Sequence, residues 1–233
     1  MNDTQPPTAM LTPLQQQLLQ VRATLPQDVE LVAVSKFHPV EALQEAYDAG
    51  QRIFGESRVQ ELEQKRPLMP ADTRWHFIGH LQANKVKYIA PYVELIHAVD
   101  SLKLLVEIDR QAARCGRIIH CLLQVHVAQE NTKYGFLPNE LFDFLEKGEW
   151  RALSNTCLAG LMCMATNTDN EQQIRQEFHQ AKSLFEQVKV RYFSKVPTFS
   201  QCSWGMSDDY PIAIEEGSTL IRVGSKIFGE RHY

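Results

Sequence analysis

Leu31-Val32-Ala33-Val34-Ser35-Lys36-Phe37-His38-Pro39 decides how this chain is read. Four apolar residues run without a break, as a strand buried on both faces does. Pro39 then opens a helical pattern, with Val40, Leu43 and Tyr47 at helical spacing. A strand followed at once by a helix is the repeating unit of a parallel α/β fold, and Lys36 falls at the strand's carboxyl end. A lysine there points into the mouth of such a fold. Burial favours its neutral amine, and a neutral amine can form an imine with an aldehyde. Position alone supports equally a lysine that caps the strand and reaches water.

The same alternation extends outward from this stretch. Before it, Thr12 and Pro13 predict a helix start, and Leu14, Leu18, Val21 and Leu25 form one stripe, so an extra N-terminal helix is expected. Residues 1–11 are polar and proline-containing, and are expected to be flexible. After it, strands are expected at 52–55, 75–79, 95–99, 118–127, 158–162, 198–204 and 220–223. Helices are expected at 40–49, 58–65, 82–89, from Leu102 onward, at 138–146 and at 209–216. A further helix carries Ile174, Phe178, Ala181, Phe185 and Val188 at helical spacing. The second and seventh strands are the weakest. Eight strand–helix units with no change of composition predict a single (β/α)8 TIM barrel over residues 12–233, with an open doubly wound sheet as the alternative.

The net charge is −4 and the basic residues are scattered, which argues against a nucleic-acid partner. No apolar run reaches bilayer length and the N-terminus lacks the pattern of a secretory signal. The five cysteines form no C-x-x-C pair, so they read as reduced thiols of a cytoplasmic protein.

In a barrel, function sits on the loops after the strand carboxyl ends. Those positions hold Lys36, Gly55-Glu56-Ser57-Arg58, the stretch from Gly79 to Lys85, Asn131-Thr132-Lys133-Tyr134-Gly135, Met162-Cys163-Met164, the stretch from Ser203 to Ser207, and Gly224-Ser225. The last two loops supply Ser203, Gly205, Ser207, Gly224 and Ser225, whose small side chains let backbone N–H groups approach a phosphate. Tight turns would also explain each of them singly. Arg222 stands between Ile221 and Val223 in an apolar strand, so it must meet an anion, an aromatic ring or a heteroatom. A salt bridge to Glu56 or Glu230 is the plain expectation. His76 and His80 have a spacing that could hold a metal, but no third ligand is near, and no metal is expected. G-x-S-x-G is absent.

A lysine after strand one and a phosphate cup at strands seven and eight suggest pyridoxal 5′-phosphate (PLP). From Leu31 to Tyr233 the chain resembles the YggS/PROSC family of PLP homeostasis proteins. The motifs are A-V-S-K at 33–36, E-A-Y-x-A-G-x-R-x-F-G-E at 45–56, W-H-F-I-G-H-L-Q-x-N-K at 75–85, G-M-S-x-D at 205–209 and G-S-T-x-I-R-x-G-x-x-I-F-G-x-R at 217–231. The resemblance implies a barrel like the N-terminal domain of alanine racemase. It implies that Lys36 holds PLP as an imine, that Arg222 sits at the pyridine nitrogen, and that Ser203, Gly224 and Ser225 hold the phosphate. An arginine at that nitrogen disfavours its protonation and weakens the ring as an electron sink. Phe37, His38, Ser57 and Trp204 depart from the family's usual residues.

A monomeric PLP carrier that regulates cofactor supply and amino-acid balance, with PLP-dependent apoenzymes as partners, is the expected function. A PLP-dependent racemase or decarboxylase is the alternative. Such enzymes use a second domain, and none is expected because the sequence ends at Tyr233, soon after strand eight. A cofactor-free aldolase using Lys36 is the third reading.

Overall fold

The computed structural model describes residues 10–128 and 134–230. Strands β1 (Glu30–Val34), β2 (Ile53–Glu56), β3 (Arg74–Phe77), β4 (Leu95–Val99), β5 (Ile119–Gln124), β6 (Thr156–Met162), β7 (Gln201–Ser203) and β8 (Leu220–Val223) pair in sequence order and close into a barrel. Every pairing is parallel, and β8 closes on β1 with Leu31 opposite Ile221 and Val32 opposite Arg222. The open doubly wound alternative is therefore excluded, because its sheet would keep two edges.

The continuous apolar runs are explained by two cores. Val32, Ile53, Leu95, Leu122, Ala159, Met162 and Leu220 fill the barrel interior. Their neighbours along the strands, including Leu31, Ala33, Phe54, Trp75, Phe77, Ile221 and Val223, belong to the layer between strands and helices. Alternation along a strand sends successive side chains to opposite faces, and here both faces are apolar.

That outer layer is completed by helices α1 (Pro13–Ala23), α2 (Val40–Asp48), α3 (Val59–Lys65), α4 (Val86–Ile89), α5 (Leu102–Arg114), α6 (Pro138–Lys147), α7 (Glu171–Tyr192), α8 (Tyr210–Glu215) and α9 (Ser225–Phe228). The extra helix α1 starts as the sequence predicts. The Thr12 hydroxyl accepts from Gln15 N, and the Gln15 side chain accepts from Thr12 N. It lies against α2 and α9, over the β8–β1 closure. Helix α7 buries Ile174, Phe178, Ala181, Leu184, Phe185 and Val188 on one face.

Three elements differ most from expectation. β5 ends at Gln124, and Val125, whose N–H still donates to the Met162 carbonyl, forms an isolated bridge with Phe136. The helix expected at 82–89 is a 3-10 turn over Ala83–Lys85 followed by the four residues of α4. β7 keeps only three residues, and its register with β8 is a single pair, Ser203 with Leu220. On its other side β7 approaches β6 so closely that a Cβ on Gly160 would lie 1.8 Å from the Gln201 carbonyl oxygen. No helix among the described residues is long and apolar enough to cross a membrane.

Candidate functional site

All eight strands point their carboxyl ends to one mouth, so side chains that follow the interior parity of each strand converge there. On β1, Val32 is interior while Leu31 and Ala33 are not. Continuing that alternation brings Val34 and then Lys36 to the inner side. Lys36 is half-buried in the turn after β1. On β8, Leu220 is interior, so Arg222 is too. Val32 is the register partner of Arg222, which puts Lys36 four residues above it on the neighbouring strand. At about 3.3 Å per residue that is at most about 13 Å along the barrel axis.

Arg222 is 4% exposed and makes no salt bridge among the described residues. The expected partner Glu56 is bound to Lys65 instead. Nη1 of Arg222 donates to the Ser203 carbonyl at 2.7 Å and to Ser203 Oγ at 2.6 Å, and Nη2 donates to the Cys163 carbonyl at 2.9 Å. Heteroatoms, not a carboxylate, therefore compensate its burial. Burial pushes the guanidinium down from its ordinary value, yet an arginine keeps its charge at neutral pH.

The Ser203 hydroxyl passes this polarity on. Arginine only donates, so Ser203 Oγ accepts from it, and the hydroxyl proton goes to His97 Nδ1 at 2.9 Å. His97 then carries its proton on Nε2 and donates to His76 Nδ1 at 3.1 Å. His76 in turn carries its proton on Nε2, which lies 3.9 Å from Glu94 Oε1. The network assigns both tautomers. Burial lowers both imidazoles, His97 further through His76 and Arg222, so both are neutral at pH 7. At the far end, Arg74 clamps Glu94 through Nε and Nη2. Burial opposes ionisation of that carboxyl, but Arg74 and the His76 ring outweigh it and hold it at about 2.

His97 was missed from the sequence. Its signal was a polar residue inside an otherwise apolar strand, the same signal that marks Arg222. His76 and His80, considered together as metal ligands, have different partners, His97 for the first and Asp100 for the second. His80 lies 3.3 Å from Asp100 and stacks on Tyr134. Among the described residues no group of three His, Cys, Asp or Glu is placed to hold a metal.

The loops after β7 and β8 touch one another. Gly224 N donates to Ser207 Oγ at 3.2 Å, which ties one loop to the other. Gly224 is half-buried, and a Cβ there would come 3.1 Å from the Val34 carbonyl oxygen, so β1 closes over it. Ser225 is exposed and opens α9, whose first amides have no intrahelical acceptor. Ser203 Oγ is bonded to Arg222 and His97. Trp204 is fully buried, His38 stacks on Phe228, and Arg58 lies over the Phe37 ring. Residues 131–133 of the loop after β5 fall outside the described residues.

This geometry has close relatives. The family profile of the alanine racemase N-terminal domain matches residues 10–232. A pyridoxal phosphate homeostasis protein of Aquifex aeolicus is 38% identical over 88% of this chain and 88% of its own. The solved structure of PipY from Synechococcus elongatus, without PLP, is 36% identical, superposes with a TM-score of 0.86, and covers 93% of this chain and 100% of its own. An alanine racemase of Clostridium difficile shares only the fold, at 16% identity and a TM-score of 0.73 over 56% of that chain. With the barrel, the lysine after β1 and the arginine inside β8 in place, the chain belongs to the pyridoxal phosphate homeostasis proteins, a family built on the alanine racemase N-terminal domain.

Proposed function

We propose that this chain binds PLP and serves intracellular PLP homeostasis, holding and releasing the cofactor and so regulating cofactor supply and amino-acid balance. The observation that carries this reading is that Arg222 stands in β8 as the register partner of Val32 in β1, with Lys36 in the turn that directly follows β1. It occurs in a chain 36% identical to PipY, which has also been solved with PLP bound.

When bound, PLP would supply an aldehyde carbon for covalent attachment to a lysine amine. Lys36 is assigned to that bond. Arg222 offers N–H donors and no acceptor, so it would favour the unprotonated form of a ring nitrogen held against it. Ser203 completes the site through Arg222, whose Nη1 it holds by both hydroxyl and carbonyl. Gly224 and Ser225 are assigned to the phosphate, with Ser207 bracing the loop. Small residues suit the close approach of an anion there. Residues 12–233 form the cofactor unit. We place the protein in the cytoplasm, as a monomer exchanging PLP with apoenzymes and without turnover of its own. Its five cysteines are free thiols, which suits a reducing compartment.

The test is borohydride reduction of the PLP-loaded protein followed by peptide mass mapping. The label is expected on Lys36. Label on another lysine, or none at all, would overturn the assignment.

A further inference from the structure

We propose that Glu61 and Lys65 of α3 are positioning residues for Lys36, because their ion pair grips the peptide group on each side of it. The inference rests on Lys36 being the attachment point assigned above.

Lys36 is flanked by two peptide groups, and α3 holds both. Lys65 Nζ donates to the Ser35 carbonyl at 2.7 Å, on the amino side. Phe37 N donates to Glu61 Oε1 at 2.5 Å, on the carboxyl side. The two gripping groups are themselves paired at 2.6 Å, one helical turn apart. Lys65 Nζ also meets Glu56 Oε1 of β2 at 2.8 Å, and the Ser35 hydroxyl donates to that same oxygen at 2.7 Å. Ser35 and Glu56 are fully buried and Lys65 is 7% exposed. An i,i+4 pair on a helix is ordinarily a weak surface contact. This one is enclosed between α3 and the barrel and spends its hydrogen bonds on the Lys36 turn.

The grip answers a specific strain. Phe37 has φ of 68°, the only positive φ at a non-glycine position among the described residues. A bulky side chain disfavours that region, and such conformations persist where the surroundings over-determine them. Glu61 on its amide and Arg58 over its ring supply that determination. β1 ends at Val34, and the left-handed residue follows Lys36 directly, so Lys36 stands in the turn above the strand while the chain swings out to α2. Relaxing Phe37 would rotate the peptide that follows Lys36 and re-aim its side chain. A lysine amine must meet one carbon at bonding distance, so a small change of aim costs attachment.

The test compares Glu61→Ala with Glu61→Gln. Each is loaded with PLP and, separately, with pyridoxine 5′-phosphate, which carries an alcohol where PLP carries the aldehyde. E61A is expected to lower the fraction of bound PLP trapped on Lys36 by at least about tenfold, the worth of one hydrogen bond to a charged group. Its affinity for pyridoxine 5′-phosphate should match that of the parent. E61Q keeps an oxygen for the Phe37 N–H but loses the charge, so its attachment should lie between those of E61A and the parent, with parent-like affinity for pyridoxine 5′-phosphate. Parent-like attachment in E61A would overturn the proposal. So would an equal loss for both ligands, which is what a purely structural role predicts. If E61A does not fold, amide hydrogen exchange of Phe37 in the parent decides. Protection matching the β1 amides supports the grip, and exchange as fast as an open loop overturns it. Failure of the parent itself to attach PLP at Lys36 would instead overturn the functional reading, and the same experiment shows which has failed.

Discussion

Ser203 holds Arg222 twice, by its carbonyl at 2.7 Å and by its hydroxyl at 2.6 Å, both on the same guanidinium nitrogen. A buried cation without a carboxylate depends on such oxygens, and the hydroxyl is the one that a side-chain change can remove. It is also the link through which the two histidines connect to Arg222.

Ser203→Ala should therefore destabilise the fold by about 1–3 kcal/mol, the cost of leaving a buried polar group unsatisfied. His97 Nδ1 loses its donor and Arg222 loses one acceptor. Urea unfolding of the cofactor-free protein measures this. A variant as stable as the parent would show that the hydroxyl does not anchor Arg222.

The histidine pair predicts a pH dependence with a definite sign. His97 and His76 have folded values below the ordinary imidazole value, so the unfolded chain takes up protons first as pH falls. Their contribution is complete above about pH 6.5 and is lost as pH drops below it, at up to about 1.4 kcal/mol per pH unit for each ring. Glu56 and Asp209 act oppositely, since burial raises both and their protonation favours the folded state. His97→Asn keeps an acceptor for Ser203 and removes one titrating ring. Its stability should fall less steeply than that of the parent between pH 6.5 and 5.5 in urea melts. Parallel curves for the two proteins would refute the assignment of His97 as a buried neutral base.

The barrel was legible because buried parallel strands are continuous apolar runs, and eight of them stand between helical patterns. β7 was the faint one. Its Ser and Gln residues hide it, and it is secured by partners distant in sequence, such as the Ser218 hydroxyl donating to the Cys202 and Trp204 carbonyls. Lys36, Arg222 and Gly224 could be picked out because each breaks a local rule of its strand or turn. The Arg222–Ser203–His97–His76 chain could not, since its members sit on four strands and only barrel closure aligns them. Nor could the grip of Glu61 and Lys65, because a pair at i,i+4 reads as solvent-facing until burial is known.

Gly224→Val should weaken PLP binding. A Cβ there would stand 3.1 Å from the Val34 carbonyl oxygen and 3.3 Å from Val34 Cβ, tighter than most packed side chains, so the neighbour must give by a few tenths of an ångström. The β8 loop must shift away from β1, and the added methyl groups enlarge the shift. Overpacking of this kind costs about 1–3 kcal/mol. Titration with PLP should show a loss, and unchanged affinity would place the phosphate elsewhere.

Lys36→Ala and Gly224→Val should act as separable anchors. Lys36 follows β1 and Gly224 follows β8. The first substitution removes an amine and leaves the loop that Ser207 and Gly224 form. The second displaces the loop and leaves the amine. Lys36→Ala should accordingly abolish borohydride trapping while retaining measurable affinity for PLP, and Gly224→Val should lower affinity while the PLP that does bind still traps on Lys36. Independent sites add within about 0.5 kcal/mol, so the losses of binding free energy should sum in the double variant. Coupling well beyond that, read from PLP titrations of the four proteins, would mean that the turn after β1 and the loop after β8 move as one unit. Val34 is the residue that would join them, since its carbonyl oxygen and side chain are what a Cβ at position 224 would meet.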